Sequence, residues 1–236
     1  APRPTCWRPA ATADTPTRTV FGRAPRLMAV TDVRSTGVDA LDNLLSGGVP
    51  AGGLVTLIAD PSSPAERLLY AASAANRTRY LTTLRPPAEV RDGLAAHGAT
   101  EATVAAVSGD DLLSGAAEHL TGLAEDTLLV VDPVTETEQG GRGAYRDLLE
   151  ALKQTLRETE SVGLLYCPRT TPPTLRRDLT LGLADHVWSL SVERTPTTAK
   201  PRLWVRRARG LALPTVGLGL QFGEAAVEGY HLDDGE

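Results

Sequence analysis

Short hydrophobic runs recur along this chain, separated by segments in which apolar residues return every three or four positions. The runs at 54–59, 79–83, 103–107, 127–131 and 162–166 predict strands, and the segments 66–76, 88–96, 110–123, 144–159 and 174–183 predict helices. The clearest helix is 144–159, where Leu148, Leu149, Leu152 and Leu156 share one face. Residues 35–45 are also helically spaced and are closed by Gly47-Gly48, a helix stop. From Ala184 the rhythm changes. Residues 187–193 and 202–209 alternate like antiparallel strands across a Thr/Pro-rich loop at 194–201, and 218–222 and 226–232 add edge strands. Apolar strands alternating with helices imply a mostly parallel sheet covered on both faces, here extended by C-terminal antiparallel strands. Residues 1–32 lack periodicity and are rich in Pro, Thr, Ala and Arg, which predicts a flexible basic arm ahead of one α/β domain at 33–236.

The segment from Gly47 to Leu68 runs from a Gly/Pro turn through a buried strand and a loop into a helix. That is the setting of a phosphate-binding loop, G-x-x-x-x-G-K-[ST]. Its chemistry is missing. Asp60 and Ala65 stand in the two glycine positions, and Glu66 and Arg67 stand where Lys and Ser/Thr belong. Pro64 removes a backbone N–H donor, and Ala65 adds a Cβ where the loop often needs positive φ. Glu66 inverts the charge. A unit pair 4 Å apart is worth roughly 4 kcal/mol at an effective dielectric near 20, so attraction to phosphate becomes repulsion of similar size. Independently of any role in a loop, Glu66 suits the first turn of a helix.

Composition sets further bounds. With 236 residues, 42% of them hydrophobic, the chain can bury a substantial core. No apolar run reaches the length needed to span a bilayer, and no secretory leader is evident, so a cytoplasmic protein without membrane contact is expected. Cys6 and Cys167 are far apart, which suits a reducing compartment; Cys167 ends an apolar strand and reads as a small buried hydrophobe. His97, His119, His186 and His231 have no partners at ligand spacing, so no metal is expected. Arginine far outnumbers lysine and alanine is abundant, as in GC-rich genomes, bacterial or haloarchaeal. The net charge of −5 argues against a generally basic nucleic-acid coat. Its distribution is uneven: residues 1–30 hold five arginines against one aspartate, a net +4, which leaves −9 for the rest.

The order of elements, together with specific residues, resembles the RecA-like superfamily, in particular its KaiC/RadA/GvpD branch. The stretch from Ser35 to Gly52 (STGVDALDNLLSGGVPAG) resembles that branch's lead-in to the phosphate loop. Leu128-Leu129-Val130-Val131-Asp132 resembles its Walker B strand, Ala184–Leu190 its later strand, and Arg202–Gly210 the basic strand that follows. The resemblance implies a RecA-like three-layer sandwich over roughly residues 33–232. It also implies a catalytic glutamate after the second strand, where this chain has Leu84 and Arg85, and a polar sensor where it has Cys167-Pro168. Asp132 would hold magnesium in the branch; alone it is half of a site, or else a strand-end carboxylate capping the next segment. Losses at three places point to a pseudo-ATPase with no catalytic residue and no cofactor.

Three functions follow as expectations. The first is a non-catalytic regulatory or scaffolding subunit that assembles with its own kind or with an active RecA/KaiC-type homologue, anchored by Trp7 and Phe21 of the arm. The second is a DNA-binding recombination mediator resembling RadA paralogues. In RecA relatives the loops after the central strands face the pore, and here Arg142, Arg146, Arg169, Arg176 and Arg177 would lie along that side, the Gly140–Gly143 stretch forming a mobile surface loop. The third is an ATPase that holds its nucleotide in a non-standard way.

Overall fold

The computed structural model describes residues 32–224 and 226–232. A short lead-in comprises β1 (Val33–Arg34), α1 (Asp39–Leu44) and β2 (Val49–Pro50). It is followed by β3 (Leu54–Ala59), α2 (Ala65–Ala75), β4 (Thr78–Thr82), α3 (Pro87–Ala96) and β5 (Thr103–Ala106). Then come α4 (Gly109–Ser114), α5 (Ala116–Leu120), β6 (Leu128–Asp132), α6 (Thr135–Glu138), α7 (Arg142–Glu158) and β7 (Val162–Pro168). The chain ends with α8 (Arg177–Leu183), β8 (His186–Arg194), β9 (Ala199–Ala208), β10 (Leu218–Phe222) and β11 (Val227–His231).

The main sheet has nine strands in the order β11-β10-β9-β8-β3-β7-β6-β4-β5. The six strands from β8 to β5 are parallel, and β9, β10 and β11 extend the sheet antiparallel beyond β8. Helices cover both faces of the parallel part. On one face Val55, Leu57 and Ala59 of β3 pack with Leu41, Leu69 and Val90 of α1, α2 and α3. On the other, Leu54 joins Leu148, Leu149, Leu152 and Leu156, the stripe that marks α7 in the sequence. Among the described residues no helix is long and apolar enough to cross a membrane.

The α/β class, the parallel sheet and its antiparallel extension are all as expected. Two details differ. The single helix expected over 110–123 is two short helices broken at Gly115, where the Ser114 hydroxyl turns back to the Asp110 carbonyl (2.8 Å). The Gly140–Gly143 stretch is no free loop: Gly141 caps α7, which begins at Arg142.

The lead-in motif has a packing reason. The Asp42 carboxylate accepts from the Ser35 hydroxyl (2.6 Å) and the Thr36 amide (2.7 Å), fixing the turn that docks α1. Gly37, at φ +74°, passes so close to α2 that a Cβ there would lie 2.1 Å from the Ala71 carbonyl oxygen. Asp185 is a second hub: it receives the buried Lys153 ammonium (2.8 Å), Arg209 (3.1 Å) and the Leu54 amide (3.2 Å).

Next to that hub, His186 is buried and its Nδ1 has no hydrogen-bond partner. Burial lowers its pKa, a shift that the nearby Asp185 opposes and Arg209 and Lys153 reinforce. The unfolded chain therefore binds a proton that the fold resists, and stability should fall as pH drops below the ordinary histidine value near 6.5. Urea midpoints are expected to be lower at pH 5.5 than at pH 7.5, with that difference reduced in His186→Gln. An unchanged difference in the variant would assign the pH dependence to other groups.

Candidate functional site

In open α/β sheets, ligands bind beyond the carboxyl ends of the strands. Here that region gathers the loops after β3, β4, β6 and β7. The loop after β3 closes on itself: the Ser63 amide (2.8 Å) and hydroxyl (2.6 Å) both donate to the Asp60 carbonyl. No residue from Asp60 to Arg67 has positive φ, and Ala65 is simply the buried first residue of α2. Pro61 and Pro64 offer no N–H. The chain therefore builds a compact turn where a phosphate cradle would open.

The loop after β4 completes the change. The Thr82 hydroxyl donates to the Arg85 carbonyl (2.8 Å) and accepts from the Arg85 amide (3.1 Å), curling the chain back over the strand end. Arg85 then reaches across the site. Its guanidinium pairs with Glu66 at the start of α2 and with Asp132 at the end of β6, and it donates to the hydroxyls of Tyr70 (2.7 Å) and Tyr80 (3.0 Å). The Tyr80 hydroxyl donates to the same Asp132 oxygen. Asp132 is buried, whereas the Glu66 side chain is half exposed.

The electrostatics agree with that geometry. Burial works against charge on Arg85, yet Asp132 and the two tyrosines still hold its pKa above the ordinary value. Burial, followed by the Asp132 charge, drives the Tyr80 hydroxyl well up. Tyr166, on the neighbouring strand, is pushed up to about 12, by burial first and then by Asp132. These groups form one paired, proton-retaining cluster with its positive charge in the middle.

Arg67, which stands at the hydroxyl position of the loop motif, turns away from this cluster. Its Nε donates to His97 Nε2 (3.3 Å), and its guanidinium bonds the carbonyls of Phe222 (3.4 Å) and Glu224 (3.1 Å) while lying 5.6 Å from the centre of the Phe222 ring. It fastens the β10–β11 turn to α2. Neither the closed turn nor these charges suit the triphosphate and magnesium that the resemblance implies.

The arginines expected along a DNA-facing side do not form a free row. Arg142 pairs with Asp178 (2.9 Å), Arg146 with Glu150 (2.7 Å) and Arg169 with Asp60 (2.9 Å). Arg177 is buried against Glu138 (2.8 Å), which removes it from any surface contact. Arg176 is partly exposed and donates to its neighbour's carbonyl. Leu84 is 70% exposed and brings no acid to the site. Cys167 is fully buried in the core, and burial pushes its thiol up, as a small hydrophobe should behave. Among the described residues no group of His, Cys, Asp or Glu could hold a metal ion. Trp7 and Phe21 lie outside the described residues.

Tyr70, Tyr80, Thr82 and Glu138 are the participants that the sequence does not single out. Tyr80 and Glu138 need partners far along the chain to acquire their roles, and Tyr70 and Thr82 act through Arg85. The inverted charges at 66 and 85 were the available signal for the central pair.

Strand order and site position define an α/β protein with the KaiC-like RecA fold. The structure is similar to that of the KaiC-like protein PH0186 from the hyperthermophilic archaeon Pyrococcus horikoshii OT3, with a TM-score of 0.69 over 84% of this chain and 100% of that one. Identity is 16%, so the likeness is one of fold. The chain itself belongs to a family of unknown function, DUF7125, whose match spans residues 33–228. No curated protein sequence matches it.

Proposed function

We propose that this chain is a non-catalytic regulatory or scaffolding protein, built on the KaiC-like fold and acting through assembly rather than nucleotide turnover. The observation that carries this is the Glu66–Arg85–Asp132 cluster. The site has not merely lost groups; it has gained a cation held by two carboxylates and two tyrosines where a nucleotide's phosphates and metal would go. A site rebuilt as a closed ion-pair network contributes to the fold and leaves function to the surfaces. Arg177 is buried against Glu138, and the carboxylates beside Arg142, Arg146 and Arg169 offset their charge one for one, so that side carries little net positive charge to attract DNA.

The partner is a second copy or an active RecA/KaiC-type homologue, met through the basic arm. The arm carries Trp7, Phe21, Leu27 and Met28 among its arginines, and aromatic and arginine residues dominate interface hot spots. The remainder of the chain, at −9, supplies the complementary charge. Light scattering on the full chain, on a Trp7→Ala/Phe21→Ala variant and on a chain beginning at Thr31 tests this. Arm-dependent assembly is expected, indifferent to ATP and magnesium. Monomers throughout, with pull-downs recovering the same proteins with and without the arm, would refute the arm's role; an ATP-driven mass change would refute indifference to nucleotide, and phosphate release above background would refute the non-catalytic role.

A further inference from the structure

The antiparallel extension has two unlike faces. Leu203, Val205, Leu218, Leu220 and Val227 turn inward and join the core beneath α1 and α2. On the opposite side, the core beneath α7 contains no residue of β8, β9, β10 or β11. The outer face of β9, β10 and β11 therefore lies largely beyond the helical layer, whereas Val187 and Ser189 of β8 are still buried. Along β9 it presents Lys200, Arg202 and Trp204 at alternate positions, followed by Arg206 at a bulge.

Gly219 of β10 and Gly217 just ahead of it lie beneath aromatic rings on this face. Tyr230 of β11 is the register partner of Gly219, which in turn faces Arg202. A Cβ on Gly219 would lie 2.2 Å from the Tyr230 ring, and one on Gly217 would lie 2.9 Å from the Trp204 indole. The rings thus cover alternate positions along the chain, one just ahead of β10 and one within it, about 7 Å apart at the usual extended rise. Tyr230 is 39% exposed; Trp204 is partly exposed, with the Arg206 guanidinium over its ring, 5.3 Å from the centre, so a base stacking there would take that guanidinium's place.

The local charge is distinctive. Residues 194–209 hold Arg194, Lys200, Arg202, Arg206, Arg207 and Arg209 and no acidic residue, in a chain of net charge −5. Arg207 is engaged with the α8 carbonyls of Leu181 and Ala184, and Arg209 with Asp185. Among the described residues two carboxylates border the face: Glu193, paired with Arg202 (2.8 Å), and the exposed Glu228.

We propose that this outer face is a stacking platform for single-stranded nucleic acid, with bases on Tyr230 and Trp204 and phosphates near Lys200, Arg202 and Arg206. Single-strand binders combine aromatic faces with a cationic track, because every base has a π-face and every linkage a charge. The ring spacing is about twice the 3.4 Å rise of stacked bases, so neighbouring bases would be splayed, one on each ring. A duplex keeps its bases stacked on one another and would leave the rings idle. This surface is separate from the Arg85 cluster and does not depend on its role.

Fluorescence anisotropy with a labelled oligothymidine of about twenty nucleotides, and with a duplex of equal length, tests the platform on the full chain. Single-strand binding is expected at about 50 mM salt, weakening steeply towards about 200 mM, with the duplex at least about tenfold weaker. Trp204→Ala and Tyr230→Ala should each reduce affinity about tenfold or more, while Tyr230→Phe retains it. Circular dichroism on each variant separates lost binding from lost folding. The proposal is overturned if no single strand binds at about 100 µM protein, if the duplex binds equally well, or if the folded alanine variants bind like the parent. A dimer that dissociates in Trp204→Ala without any oligonucleotide binding also overturns it and assigns the face to a second copy.

Discussion

Glu138→Ala is expected to destabilise the fold by about 3–5 kcal/mol, the usual result of removing one partner from a buried ion pair. Glu138 is fully buried and serves several donors at once. It accepts from Arg177 through Nε (2.8 Å) and Nη2 (2.8 Å), and from the hydroxyls of Thr174 and Thr180. Thr180 is bonded in turn to the buried Tyr145 hydroxyl (2.6 Å). Truncation would leave a buried guanidinium with the Pro168 carbonyl (3.2 Å) as its remaining protein acceptor and would orphan the Thr174 hydroxyl. The paired change Glu138→Gln with Arg177→Met should recover much of the loss, since the charge and its partner then leave together. Urea unfolding measures both. A cost below about 1 kcal/mol for Glu138→Ala would mean that water reaches the pair and that α6 and α8 are not anchored through it. If Arg177 instead served a DNA surface, Arg177→Ala would weaken DNA binding while leaving the urea midpoint in place.

The contrast between what the sequence showed and what it hid has a physical basis. The strand at 54–59 was legible as a short apolar run buried on both faces, and the helix with Leu148, Leu149, Leu152 and Leu156 because one buried face imposes a period. The antiparallel turn of the last strands was legible for the same reason. Short elements such as β1, β2 and α6 span too few residues to show any period. Charged groups were the hardest to place. Arg177 sits on a short helix where position alone does not distinguish a solvated arginine from a buried one; only Glu138, thirty-nine residues away, decides it. Arg85 was visible as a departure from the family pattern, but its reach to Glu66 and Asp132 depends on the Thr82 turn, a contact between a hydroxyl and two backbone groups that leaves no trace in hydropathy. The cross-strand glycines beneath Trp204 and Tyr230 likewise acquire meaning only once the register is fixed.

Calorimetry with ATP and magnesium is expected to show binding no tighter than the millimolar range, about 4 kcal/mol, with no hydrolysis. Restoring the loop motif through Ala65→Gly, Glu66→Lys and Arg67→Thr together should not recover turnover. Lys at 66 would face the Arg85 guanidinium in place of its present carboxylate partner. At an effective dielectric near 20, like charges about 4 Å apart repel by roughly 4 kcal/mol, an upper figure here because the Glu66 side chain is half exposed and solvent screens it. Arg85 would remain on Asp132, occupying the carboxylate that a magnesium ion would need. Pro64 would still lack an N–H, and Leu84 would still supply no base. Thr at 67 would also release the β10–β11 turn that Arg67 fastens through the carbonyls of Phe222 and Glu224. The triple variant should therefore be less stable than the parent and no more active. Micromolar ATP affinity in the parent, or phosphate release above background in the triple variant, would show that the Arg85 cluster yields to nucleotide and that the site still works.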